Sequence, residues 1–149
     1  MISSDAIREL REKTGVSVME CKKALEKTKG NIEEAIKVLD KEFGGMALKK
    51  ASREANDGIV EAYVHTNGKI GVLLQLHSET DFVAKNPAFR ELAHDLVLQI
   101  AAMNPESHDD LFAQPFIKDP ARTIKDLVEE AIGKFGENIK VGRFVRYDI

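Results

Sequence analysis

Residues 59–78, IVEAYVHTNGKIGVLLQLHS, decide how this chain folds. Two runs rich in Val, Ile, Leu and Tyr flank the dipeptide Asn67-Gly68, which tolerates the positive φ values of a tight hairpin turn. A turn centred there sets the register: Tyr63 faces Val72, Glu61 faces Leu74, and Ile59 faces Leu76. A one-residue slip would turn every side chain to the other face. In this register one face belongs to a core. The other carries Val60, Ala62, Val64 and Leu73, too apolar for open water.

Downstream, Asn86-Pro87 predicts a helix start, with Pro at the first helical position. Phe89, Leu92, Ala93, Leu96, Ile100 and Met103 continue at helical spacing until Asn104-Pro105 ends the run. A polar connection containing Pro105, Pro115 and Pro120 leads to Thr123, a cap for IKDLVEEAIGKF at residues 124–135. Ile124, Leu127, Val128, Ile132 and Phe135 line that helix, and Gly136 stops it. IKVGRFVRY, at residues 139–147, reads as a final strand.

Upstream, three short helices are predicted. Ser4 is read as the cap of a helix carrying Ile7 and Leu10 and ending near Thr14-Gly15. SVME at residues 17–20 has capping-box spacing, with Cys21, Ala24 and Leu25 as the following apolar stripe and Gly30 as the stop. NIEE at residues 31–34 opens a third helix with Ile32, Ala35, Ile36 and Leu39 on one side. Gly44-Gly45 is expected to break it, after which MALKKASREAND forms a basic, helical linker closed by a turn at Asn56-Asp57-Gly58. The predicted class is α+β. Residues 1–43 form a three-helix module, 44–57 a helical linker, and 58–149 a core of order ββααβ, a three-stranded antiparallel sheet packed with helices.

Composition bounds the function. Of 149 residues, 43% are hydrophobic and 32% charged, a globular balance. The net charge of −3 supplies no field toward nucleic acid or acidic membranes. No apolar run approaches the ~20 residues of a membrane span, MISSDAIREL does not open like a secretory signal, and Cys21 has no partner for a disulfide. A soluble, cytoplasmic protein is expected. The histidines His65, His77, His94 and His108 show no ligand or triad spacing, Gly44-Gly45 lacks a phosphate-loop pattern, and Cys21 lies in an apolar stripe. No enzyme, metal or cofactor is expected. Lys49, Lys50 and Arg53 alternate with Glu42, Glu54 and Asp57 and have no aromatic platform, so a solvated helix face explains them better than nucleic-acid binding.

Residues 77–87, HSETDFVAKNP, pose the remaining question. Two readings stand for Phe82 on residue types alone: folded back onto the core with Asp81 as a helix cap, or exposed beside Asp81. Here the chain resembles a known family. IRELREKTGVSVMECKKALEKTKGNIEEAI, ETDFVAKN, QPFIKD and FGENIKVGRFVR together are similar to elongation factor Ts, the guanine-nucleotide exchange factor of elongation factor Tu.

The resemblance implies that the N-terminal helices form a ubiquitin-associated-like module. It implies that Thr80, Asp81, Phe82 and Val83 form a turn that enters the partner's nucleotide domain and disturbs its Mg²⁺ and phosphate contacts. It also implies a second grip through Gly15, Val16, Met19, Cys21 and Lys22, with QPFIKD and the final strand resting on another domain of the partner. Larger members of this family carry a second core half and a projecting hairpin between the regions matched by MNP and QPF. Only ESHDDLFA and the start of QPF occupy that interval here. With that half missing and the second sheet face apolar, a homodimer of face-to-face sheets is expected.

Overall fold

The computed structural model describes residues 1–149. The N-terminal helices are α1 (Ser4–Thr14), α2 (Val18–Lys27) and α3 (Ile32–Lys50). The strands β1 (Asp57–Val64) and β2 (Ile70–Ser78) form the hairpin, followed by α4 (Asp81–Ala84) and α5 (Pro87–Met103). Next come α6 (His108–Ala113), β3 (Pro115–Phe116), β4 (Asp119–Thr123), α7 (Ile124–Phe135) and β5 (Lys140–Asp148).

The hairpin has the expected register, with Tyr63 opposite Val72, Glu61 opposite Leu74 and Ile59 opposite Leu76. β5 pairs antiparallel on the other side of β2, giving the order β1-β2-β5. The β2–β5 register shifts between Leu74 and Leu76, and the Gln75 side chain spans the irregularity by accepting from Arg143 N at 3.2 Å. Gly58, expected in a turn, lies instead inside β1 at φ 143°, where a Cβ would stand 2.8 Å from His77 Cα. A side chain there would collide with backbone, so only glycine fits.

Val72, Leu74 and Leu76 point from the sheet into a core completed by Phe89, Leu96 and Ile100 of α5 and Ile124, Val128 and Ile132 of α7. Phe89 meets Phe135 edge-on at 6.3 Å. Helix starts follow local chemistry. Asn86 caps α5 with Pro87 behind it, and Thr123 forms a full capping box with Asp126.

Three further details differ from the sequence reading. Ser3, not Ser4, caps α1, accepting from Ala6 N at 3.1 Å. The connection after Pro105 is not a bare loop but α6 plus a second, two-stranded sheet of β3 and β4. Buried Gln99 secures it, donating to Pro115 O at 3.0 Å and accepting from Ile117 N at 3.0 Å. A satisfied buried amide of this kind replaces the hydrophobic signal that a longer strand would give.

The third difference is larger. α3 runs unbroken through Gly44-Gly45 to Lys50. Leu10, Cys21, Leu25, Leu39 and Phe43 form the N-terminal core, and α3 then continues against α7. A Cβ on Gly133 would lie 2.6 Å from Phe43 Cε1, and one on Gly44 would lie 3.1 Å from Glu129 Oε2. The ring of Phe43 thus rests on the bare backbone of α7. Tertiary contact outweighs the weak helix propensity of two glycines, about 1 kcal/mol each.

Candidate functional site

The turn joining β2 to α5 is built from both ends. Ser78 is fully buried and donates to Thr80 O at 2.8 Å. Thr80 takes an extended backbone and caps α4, its hydroxyl oxygen accepting from Val83 N at 3.4 Å. One turn of helix follows, and its geometry sorts the side chains. Val83 and Ala84 face the core at 9% and 4% exposure, whereas Phe82 stands 87% exposed. Asp81 lies beside it, also exposed, and pairs along the surface with Lys85 at 3.3 Å. Of the four residues singled out here, Asp81 and Phe82 face outward, Thr80 shapes the turn, and Val83 anchors it.

The sequence reading missed a carboxylate that underpins this turn. Glu137, in the connection between α7 and β5, accepts from Glu79 N at 3.1 Å and Thr80 N at 3.0 Å through Oε1. Its Oε2 accepts from the Thr80 hydroxyl at 2.7 Å. Glu79 reciprocates by accepting from Asn138 N at 2.6 Å, and Arg53 approaches Glu79 at 3.6 Å. Buried Asn138 donates in turn to Arg53 O at 2.8 Å. The motif FGEN was visible in the sequence, but nothing local connects residue 137 with residue 80.

The N-terminal candidates divide likewise. Met19 is 69% exposed, and Gly15 and Lys22 also reach solvent. Val16 and Cys21 are buried and belong to the module's own core. Cys21 Sγ donates to Val16 O at 3.6 Å, and burial pushes its thiol pKa up. Such a thiol packs and does not attack. Gly15 terminates α1 at φ 67°, close to the Lys134 side chain of α7. Burial holds the Lys134 pKa below its usual value, while Glu130 pairs with it at 2.8 Å.

Half-buried carboxylates gather where α3 meets α7. Asp40 is raised above the ordinary carboxylate range by burial, opposed by Arg122 and reinforced by Asp126. Glu129 is raised by burial too, opposed by Lys125 and reinforced by Asp126 and Asp40. No three His, Cys, Asp or Glu side chains converge tightly enough to hold a metal ion. The histidines serve separate local roles. His65 Nδ1 meets the Tyr63 hydroxyl at 2.7 Å, while His108 Nε2 meets Gly142 O at 2.6 Å.

The outer face of the sheet is open. Val60 and Val64 are 67% and 68% exposed, Leu73 50%, and Tyr147 74%. Leu73 lies between Ala62 and Val145 in the register, so these residues form one continuous patch across all three strands. No helix is long and apolar enough to cross a membrane.

Two cores, an aromatic ring raised on a braced turn and an uncovered sheet face define the class: a small α+β protein with an exposed ring and an open apolar sheet face. The family description "Elongation factor TS" matches residues 79–149. Elongation factor Ts of Thermodesulfovibrio yellowstonii is 42% identical over 192 aligned positions, covering 99% of this chain and 96% of its own length. The proteins of that name from Carboxydothermus hydrogenoformans and Thermotoga maritima are each 39% identical, with 89% and 96% of their lengths covered. The chain belongs to the elongation factor Ts family, whose members act in translation elongation. The first alignment is 192 positions long against 149 residues here, so a stretch of that relative has no counterpart in this chain.

Proposed function

We propose that this protein is a guanine-nucleotide exchange factor for elongation factor Tu, acting in the cytoplasm. The observation that carries the proposal is Phe82, a large ring left in solvent on a turn that Val83 ties to the core. Nothing inside the molecule uses that ring. Burying it in a partner would contribute about 1.5–3 kcal/mol.

Asp81 beside it brings a negative charge toward a site organised by Mg²⁺ and phosphates, where fixed charges act strongly. No covalent chemistry is needed. A factor that binds the nucleotide-free partner more tightly than the GDP-bound one speeds GDP release by linkage, and GTP then displaces the factor.

The remaining assignments follow the same reading. Residues 1–43 act as a ubiquitin-associated-like module, 44–57 as a linker whose first half is the end of α3, and 58–149 as the core. The module supplies a second grip through Gly15, Met19 and Lys22, with Val16 and Cys21 shaping that surface from within. The open sheet face, centred on Leu73, is covered by a second copy of the chain, the two sheets stacking as in a sandwich.

The test of exchange is stopped-flow release of a fluorescent GDP analogue from elongation factor Tu. Phe82→Ala leaves the fold unchanged and slows stimulated release by one to two orders of magnitude, about 1–3 kcal/mol. Acceleration equal to that of the wild-type chain would contradict the wedge.

A further inference from the structure

Phe82 is useful as a wedge only if its turn does not yield when pushed. A four-residue helix has almost no stability of its own, since nucleating one turn fixes about six dihedrals for one hydrogen bond. Val83 and Ala84 hold one side of the turn to the core. The approach to the turn, Glu79-Thr80, is held by something else. A single half-buried carboxylate, Glu137, accepts from two successive backbone N–H groups and one hydroxyl, all within 3.1 Å.

Charge-assisted bonds are roughly twice as strong as neutral ones, and here three converge on one side chain. The hydroxyl of Thr80 is thereby committed: it donates to Glu137 and uses its oxygen to cap α4. Its rotamer, and hence the start of the helix that carries Asp81 and Phe82, is set by Glu137. Behind this, Glu79 accepts from Asn138 N, and Asn138 donates to the carbonyl of Arg53 just past α3. The base of the turn is laced to two distant segments of chain.

The geometry points to Glu137 as a positioning residue for nucleotide exchange, seconded by Asn138. It touches neither Phe82 nor Asp81 but fixes the platform from which both project, so that the ordering of the turn precedes contact with the partner. The inference rests on the exchange reading above and adds to it the group that makes the wedge stiff.

Two measurements test it. In the wild-type chain, hydrogen exchange at the Glu79 and Thr80 amides runs slower than at the Phe82 amide, which lies at the open start of α4, by about a hundredfold. Comparable rates at all three would overturn the inference, and this measurement needs no variant to fold. In the GDP-release assay, Glu137→Ala lowers the maximal rate at saturating factor about tenfold while leaving the half-saturating concentration nearly unchanged. Glu137→Gln keeps acceptors for both N–H groups and recovers the rate to within about threefold.

Added to Phe82→Ala, Glu137→Ala costs clearly less than it does alone, because much of its effect acts through that ring. Full additivity would overturn the positioning role. A wild-type maximal rate for Glu137→Ala beside a slowed Phe82→Ala would overturn this inference alone. A wild-type rate for Phe82→Ala would overturn the wedge reading and this inference together.

Discussion

Gly45 and Gly133 offer opposed outcomes from the same chemical change. Replacing either by Ala adds one methyl group to a helix and improves helix propensity by about 1 kcal/mol. At Gly45, an exposed position in the middle of α3, no atom lies within 4 Å of the new Cβ. Gly45→Ala is therefore expected to stabilise the protein by about 0.5–1 kcal/mol. At Gly133 the new methyl would meet the Phe43 ring, 2.6 Å from Cε1. That ring is 7% exposed.

Displacing it forfeits most of an aromatic burial worth about 1.5–3 kcal/mol, and the propensity gain returns only part. The net expectation is a destabilisation of about 0.5–2 kcal/mol. Gly44→Ala falls between them, since the new methyl meets only the movable end of Glu129 at 3.1 Å. Urea unfolding followed by far-UV circular dichroism separates the three, as a shift in midpoint without a change in slope. A lowered midpoint for Gly45→Ala, or a raised one for Gly133→Ala, would refute the account of α3 as one continuous helix seated on α7.

Asp40 should give a pH signature. Its folded pKa is raised, so the stability linked to its protonation is present below the ordinary value of 3.8 and is lost as pH rises through the folded value. Asp40→Asn is accordingly expected to raise the urea midpoint at neutral pH more than below 3.8, and an equal gain at both would contradict the burial argument. Cys21, fully buried, should react with a charged thiol reagent at least about a hundredfold more slowly in buffer than in urea. Similar rates in the two solvents would mean that the N-terminal core is open. Leu73→Glu, at the centre of the exposed sheet face, should leave the secondary structure intact and abolish self-association in sedimentation velocity. A wild-type chain that sediments as a monomer at about 50 micromolar would remove the second copy from the proposal.

What could be read from sequence was what local chemistry decides. Asn67-Gly68 fixed a two-strand register because the turn needs positive φ and the strand period is two. Asn86-Pro87 and Thr123 marked helix starts because a cap is a contact between residues two or three apart. What escaped was set at a distance. Gly44-Gly45 looked like a break, since propensity cannot register a ring on one helix resting against a glycine ninety positions away. The β3–β4 hairpin contains prolines and only one buried apolar residue, Phe116, and depends on Gln99 from a preceding helix. Glu137 lies 57 residues from Thr80, and no periodicity reports that pairing. Residue type alone favours a Phe82 ring folded back onto the core, and the structure overturns that. The one-turn helix that buries Val83 leaves the neighbouring ring outside.

The continuity of α3 has a mechanical consequence. Nineteen residues in one helix make a strut about 28 Å long, joined at one end to α1 and α2 and seated along α7 at the other. On the exchange reading proposed above, this strut sets the spacing between Met19 on the helical module and Phe82 on the core. On that proposal, a surface whose two receptive spots lie at another spacing engages only one of them at a time.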